Sequence, residues 1–167
     1  MENIVEELML IVNNTLEDLY KNDKYLLEND SSERNIVFHF GRYFIKNLEK
    51  NNFFKNNNYN VDYEYNKDVF NEKKYKEVVY EGKKHKIFPD ILLHERGSND
   101  NNILAIEFKK YSNTNQNGKK IDEYKLKALT DNKLHFKYQM GLFIELGKTI
   151  NTVKIKKFID GKKVRGK

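Results

Sequence analysis

Two acidic residues and a lysine sit at the end of what reads as an apolar hairpin: Asp90 follows Phe88-Pro89, and Glu107 and Lys109 flank Phe108. The runs Ile87 to Glu95 and Ile103 to Lys110 are extended and apolar. Between them lies Arg96-Gly97-Ser98-Asn99-Asp100-Asn101-Asn102, a segment with turn chemistry, so the stretch predicts a β-hairpin. Side chains alternate along a strand, which puts Glu107 and Lys109 on one face and Leu104, Ile106 and Phe108 on the other. A loop centred on Ser98 and Asn99 sets Asp90 across from Glu107. Two carboxylates in so apolar a setting are costly to bury without a cation. Mg²⁺ and Mn²⁺ take hard oxygen ligands and retain water, so Asp90, Glu107 and the Phe108 carbonyl make a usable donor set. Lys109 beside it can orient or deprotonate a water, or neutralise charge on a phosphate. That is the chemistry of metal-assisted phosphodiester hydrolysis.

An acid-x-Lys triplet recurs elsewhere, as at Glu81 to Lys83 and Glu123 to Lys125, so the triplet alone discriminates little. Glu107-Phe108-Lys109 differs because it ends a strongly apolar strand and follows Pro89-Asp90 on the preceding one. The competing reading is an edge hairpin whose charges are solvated or paired with each other.

Together, Pro89, Asp90, Glu107, Phe108 and Lys109 resemble the signature of the PD-(D/E)XK nuclease superfamily. The similarity runs from about Glu33 to Leu146 and resembles a group of small bacterial proteins in that superfamily. It takes in Glu33, Arg42, Tyr43, Glu64, Tyr65, Asn66, His94, Arg96, Gly97, Asn102, Lys110, Asp122, Lys125, Leu126, Leu129, Tyr138 and Gly141. The resemblance implies a restriction-endonuclease-like α/β fold, a central mixed sheet flanked by helices. It further implies a Mg²⁺-dependent nuclease, with Mn²⁺ as a substitute, acting as an endonuclease on DNA and leaving a 5′-phosphate and a 3′-hydroxyl. Glu33 becomes a further metal ligand, direct or through water, and Lys125 a phosphate contact, with Lys110 and Arg96 also candidates for touching nucleic acid.

The elements that must hold these residues can be read in order. Val5, Leu8, Met9, Val12, Leu16, Leu19 and Tyr20 recur at helical spacing, so residues 3–21 predict an amphipathic helix that covers the core or a dimer interface. Ser31 or Ser32 suits an N-cap for a helix from Glu33 to about Lys50, with an apolar stripe through Val37, Phe40, Phe44 and Leu48. Glu33 shares that stripe, although an acid in a first turn also complements the helix dipole. A loop is expected over Phe53 to Asn58, a strand over Tyr59 to Asn66 with Glu64 facing solvent rather than approaching the site, its alternative, and a charged, mobile connection over Lys67 to Lys76. Glu77 to Tyr80 and Lys83 onward predict a second hairpin, whose lysines, Lys73, Lys74, Lys76, Lys83, Lys84 and Lys86, form either a solvated face or a track for a phosphate backbone. Tyr111 to Lys120 is expected to be a polar loop able to close over substrate, with Asp122 capping a helix to about Asn132. On that helix Lys125 either snorkels to water or reaches a phosphate. Gln139 to Leu146 predicts a strand covered on both faces and parallel to the second hairpin strand, followed by a strand over Thr152 to Ile159 and a basic tail over 161–167.

The chain has 167 residues, enough for one domain with a real core. Its net charge of +6 suits a polyanion partner. It has no cysteine, which excludes disulfides, thiolate zinc sites and a thiol nucleophile. Acidic residues interrupt the first 20 residues, so neither a signal peptide nor a membrane span is expected, and a cytoplasmic location follows as an expectation. His39, His85, His94 and His135 lack metal-ligand spacing, though His94 shares a strand face with Asp90. There is no phosphate-binding glycine loop and no serine nucleophile elbow. Two alternatives stand beside a DNA endonuclease: a non-catalytic nucleic-acid-binding or protein-interaction module, and an RNA-cleaving toxin or defence nuclease. Duplex cutting calls for two sites or repeated encounters, which makes a homodimer an expectation.

Overall fold

A computed structural model describes residues 2–68 and 75–164. Six strands form one mixed sheet in the order β1-β4-β5-β6-β7-β8. These are β1 (Asn60–Asp62), β4 (Ile91–His94), β5 (Asn102–Lys110), β6 (Met140–Leu146), β7 (Lys154–Ile159) and β8 (Lys162–Val164). β5 and β6 run parallel, linked through helix α5 (Gln116–Thr130), and every other neighbouring pair is antiparallel. A separate hairpin, β2 (Glu77–Tyr80) with β3 (Lys83–Lys86), turns at Glu81 and Gly82, both at positive φ.

Strand alternation divides the core in two. Ile91, Leu93, Leu104, Ile106, Phe108, Leu142 and Ile144 pack with α1 (Glu2–Asn22) and α3 (Glu33–Glu49). Leu92, Ala105 and Phe143, together with Phe158, pack with Leu126 and Leu129 of α5. The mixed α/β architecture and the parallel central pair agree with expectation. Ser32 caps α3, its hydroxyl accepting from the Asn35 N–H at 3.2 Å, and Val37, Phe40, Phe44 and Leu48 are buried as the stripe requires. Gly141 lets α5 approach the sheet, since a Cβ there would lie 3.2–3.4 Å from Thr130 and Leu126. Among the described residues no helix is long and apolar enough to cross a membrane.

Several boundaries differ. Part of the expected loop after residue 52 is a short helix, α4 (Asn52–Lys55), whose first amides donate to the Asn51 side chain. β1 stops at Asp62, and Glu64 turns the chain at φ 48 while its N–H donates to the Pro89 carbonyl at 3.0 Å. β4 starts at Ile91 rather than Ile87. α5 begins at Gln116, six residues before Asp122, because the Asn115 side chain accepts from the Gly118 N–H at 2.9 Å. Much of the proposed closing loop is therefore helix, and Asp122 is not a cap. Residues 162–164 of the basic tail are a strand, folded back on β7 through Asp160 and Gly161 at positive φ. Residues 69–74 of the expected mobile connection, and 165–167 of the tail, lie outside the described residues.

Phe108 is fully buried and meets Phe40 edge-on at 4.9 Å between ring centres, joining α3 to the sheet. Phe108→Ala is expected to cost ~3–5 kcal/mol in urea unfolding, against ~1 kcal/mol for loss of the helix cap in Ser32→Ala. Equal costs would mean that the α3–sheet layer is not a cooperative part of the core.

Candidate metal centre and catalytic site

The register of the hairpin is Ile91 to Ile106, Leu92 to Ala105 and Leu93 to Leu104, as a loop centred on Ser98 and Asn99 requires. Extended by one residue, it sets Asp90 opposite Glu107. β4 offers no partner beyond that point, so the backbone of β5 outruns it. Carboxylates replace the missing strand. The Phe108 N–H donates to Asp90 Oδ2 at 2.7 Å, and the Lys110 N–H donates to Glu33 Oε2 at 3.1 Å. Glu33 reaches this edge from the first turn of α3, held there by the Ser32 cap.

Glu107 projects from β5 into the α5 layer and is 3% exposed, and its Oε1 has no hydrogen-bond partner. Burial, then the nearby Asp90 and Asp122 carboxylates, hold its acid well above the usual range. Burial also pushes Asp90 up to about 6, against the pull of the Phe108 N–H and of Lys109. Lys109 is the centre of the ion pairing. Its Nζ donates to the Phe108 carbonyl at 2.9 Å and lies 3.0 Å from Asp122 Oδ2 and 3.5 Å from Glu33 Oε1. Burial opposes its charge, but Asp122, Glu33 and Glu107 outweigh burial and hold the ammonium above the ordinary lysine range. Lys125, one turn along α5 from Asp122, pairs with its other oxygen at 2.9 Å.

The donor set fits a small hard cation. Glu107 presents a buried oxygen without a donor, Asp90 stands across from it, and the Phe108 carbonyl is adjacent, while Mg²⁺ needs few protein ligands beyond its waters. Among the described residues no group of three or more His, Asp or Glu side chains forms a ready-made cage. Glu33 and Asp122 are instead drawn to Lys109, and the Phe108 carbonyl accepts from the same ammonium. Glu33 thus meets the cluster through Lys109 and the Lys110 amide.

Asp90, Glu107, Phe108, Lys109, Glu33 and Lys125 come together as expected. Asp122 joins them in a role that the sequence did not disclose, its helix position being masked by the misread start of α5. Other candidates lie elsewhere. Arg96 grips Asp62 through both carboxylate oxygens, and His94 donates to or accepts from the same acid at 3.0 Å, a closed network at the opposite end of β4 from Asp90. The Lys110 side chain folds back onto Asp30, at 2.8 Å, and the Ser31 carbonyl, at 2.9 Å. Lys76 is not part of a surface track: it is buried over the Tyr65 ring, and burial pushes its ammonium down to about 8. Lys83, Lys84 and Lys86 are exposed, while Lys73 and Lys74 lie outside the described residues.

No family model, curated protein or solved structure matches the chain.

An acid whose folded-state pKa is raised loses stability as pH climbs. The unfolded carboxyl ionises near pH 4, whereas Asp90 keeps its proton to about 6, so the folded state binds more protons in between. Its share of the loss is about 3 kcal/mol, complete above that range. In metal-chelating buffer at about pH 8, Asp90→Asn is therefore expected to melt above wild type by roughly 5 °C or more, with the gap closing near pH 4, and Glu107→Gln to shift in the same direction. Identical melting curves at both pH values would contradict the strained acid pair.

Proposed function

We propose that this chain is a metal-dependent nuclease of the PD-(D/E)XK type, with a restriction-endonuclease-like arrangement of its sheet and helices. Its reaction is hydrolysis of phosphodiester bonds, acting as a DNA endonuclease. The observation that carries the reading is the opposition of Asp90 and Glu107 at the overhanging end of β5, with one buried Glu107 oxygen lacking any donor and Lys109 beside them. Among the described buried side chains with an orphaned atom, Glu107 is the one carboxylate, and a cation would relieve it. The net charge of +6 suits a polyanionic substrate.

Asp90 and Glu107 supply negative charge for the cation, and the Phe108 carbonyl a third oxygen once Lys109 turns away from it. Mg²⁺ or Mn²⁺ held there supplies Lewis-acid polarisation of the phosphate and a more acidic water. Lys109, held as an ammonium, donates hydrogen bonds to the attacking water or to phosphate oxygens and offsets charge developing there. Asp122 and Glu33 hold the Lys109 ammonium between them, and Asp122 also pairs with Lys125, the candidate phosphate contact. The leaving group departs as a 3′-hydroxyl and the product keeps a 5′-phosphate. A homodimer would bring two such sites together.

A second reading, a nucleic-acid-binding module without turnover, draws on the ion pairing of Lys109 with Asp122 and with the Phe108 carbonyl. The two part on metal response. Under the nuclease reading, millimolar Mg²⁺ or Mn²⁺ raises the melting temperature of wild type and not of Asp90→Ala. Cleavage of labelled DNA falls at least ~100-fold in Asp90→Ala, Glu107→Ala and Lys109→Ala. Parallel assays on RNA decide between a DNA enzyme and an RNA-cleaving one. Wild-type melting indifferent to both metals, with no cleavage of either polymer, sinks the enzyme.

Asp122→Asn separates positioning from metal holding. It is expected to lower the cleavage rate ~10- to 100-fold while leaving the metal-induced rise in melting temperature in place. Loss of that rise would make Asp122 a ligand.

A further inference from the structure

A cavity of about 250 Å³ opens directly beside Asp90, lined by Arg34, Val37, Phe38, Tyr63, Glu64 and Asp90. Its aromatic wall has no role in the core: Phe38 is 52% exposed and Tyr63 38% exposed. The two rings are neighbours, with centres 6.4 Å apart and planes inclined by 34°, and both line the cavity. Their placement is built in. Tyr63 lies on α3 over Gly41, where a Cβ would fall 1.7 Å from its hydroxyl, and that hydroxyl donates to the Phe38 carbonyl at 3.4 Å. Glu64 then adopts a left-handed conformation that few non-glycine residues take, and its N–H donates to the carbonyl of Pro89, the residue before Asp90. This bond ties the cavity wall to the chain segment that carries the carboxylate.

The polar part of the lining defines the occupant. Arg34 Nε lies 3.1 Å from Glu64 Oε1, and the two side chains are 85% and 49% exposed. One cation and one anion together favour a neutral planar group that carries both donors and acceptors, stacked on the rings. A nucleobase is such a group, and stacking on aromatic side chains is tolerant of base identity. The volume is below the ~300–1,000 Å³ of drug-sized pockets, which suits one base and leaves no room for a base pair. Inside a duplex the π faces are covered by neighbouring pairs, so a base enters such a cavity only when it is unpaired or flipped.

We propose that the cavity between Phe38, Tyr63 and Asp90 holds one unpaired nucleobase next to the scissile phosphate, making the substrate a nucleic acid with an unpaired nucleotide at the cleavage position. The proposal deepens the nuclease reading and rests on it. Phe38 and Tyr63 contact the substrate base. Arg34 and Glu64 edge it, and Asp90 is shared by the base cavity and the reacting centre. Single strands, overhangs and flaps offer such a base directly, whereas an uninterrupted duplex must first break a pair.

The test uses the full chain with short oligonucleotides carrying 2-aminopurine, whose fluorescence is quenched by stacking. Binding is measured in chelating buffer, where no cleavage occurs, and cleavage of the same oligonucleotides is then followed in Mg²⁺ and in Mn²⁺. Wild type is expected to quench the probe in single strands and to bind them more tightly than the matched duplex. Phe38→Ala and Tyr63→Ala are each expected to weaken single-strand binding by about 5- to 100-fold and to abolish the quench. Phe38→Trp, which keeps a π face, is expected to restore both. Circular dichroism melting controls for folding, and both aromatics are at the surface. If duplex is bound and cut as well as single strand, and the aromatic variants match wild type, the base cavity is wrong while the nuclease stands. If the quench behaves as expected but nothing is cut in either metal, the base cavity stands as a binding site and the nuclease reading falls. Absence of binding in chelating buffer together with absence of cleavage in either metal, for every oligonucleotide, overturns both.

Discussion

The N–H groups of Phe108 and Lys110 donate to side chains where a strand would otherwise lie, because β4 has no residue to pair with β5 past Ile106. An unmet backbone donor in a buried setting costs about 1–3 kcal/mol, so the overhang must be filled. Water could fill it at a surface. Here two carboxylates do, Asp90 from the segment entering β4 and Glu33 from the first turn of α3. The need to satisfy backbone amides therefore draws acidic groups to one place, and the position of Glu107 in the same strand adds a third. Lys109 then answers the charge that the backbone has gathered, with Asp122 from the opposite layer completing the pairing.

This balance is incomplete, and the incompleteness is the useful part. Lys109 and Lys125 are both engaged by Asp122, which leaves Glu107 without a donor and Asp90 with a single backbone amide as its strongest support. A fold optimised for stability would replace such a pair with apolar residues of similar size. Two strained acids opposite each other make physical sense where a cation or a proton relieves them.

The two ends of the hairpin contrast instructively. At the far end, Asp62 is held by both Arg96 and His94, and these contacts close the loop against β1. Asp62, Arg96 and His94 are partnered with one another there, and burial of His94 holds its ring below the ordinary histidine range. The same chemical inventory, acids beside bases on an apolar sheet, is fully paired at one end and left with an orphaned acid at the other. What separates them is whether the carboxylates outnumber the cations they can reach, and whether an open cavity adjoins them, as the one lined by Phe38 and Tyr63 adjoins Asp90.

Much of this was legible in the residues. Alternation along Ile103 to Lys110 and the turn chemistry after Glu95 were sufficient to set Asp90 opposite Glu107 and to put Lys109 on the same face. The Ser32 cap and the Val37 to Leu48 stripe placed Glu33 at the start of a helix. These are local properties, decided by the two-residue and 3.6-residue periods over a few neighbours. The start of α5 was misread because Asp122 and Asn115 both suit a cap, and nothing local shows which one accepts an amide. The engagement of Asp122 with Lys109, the diversion of Arg96 to Asp62, the burial of Lys76 and the cavity beside Asp90 were beyond the sequence. Each depends on which charges and rings meet across layers that are distant in the chain, and only the packing of helices on the sheet sets those distances.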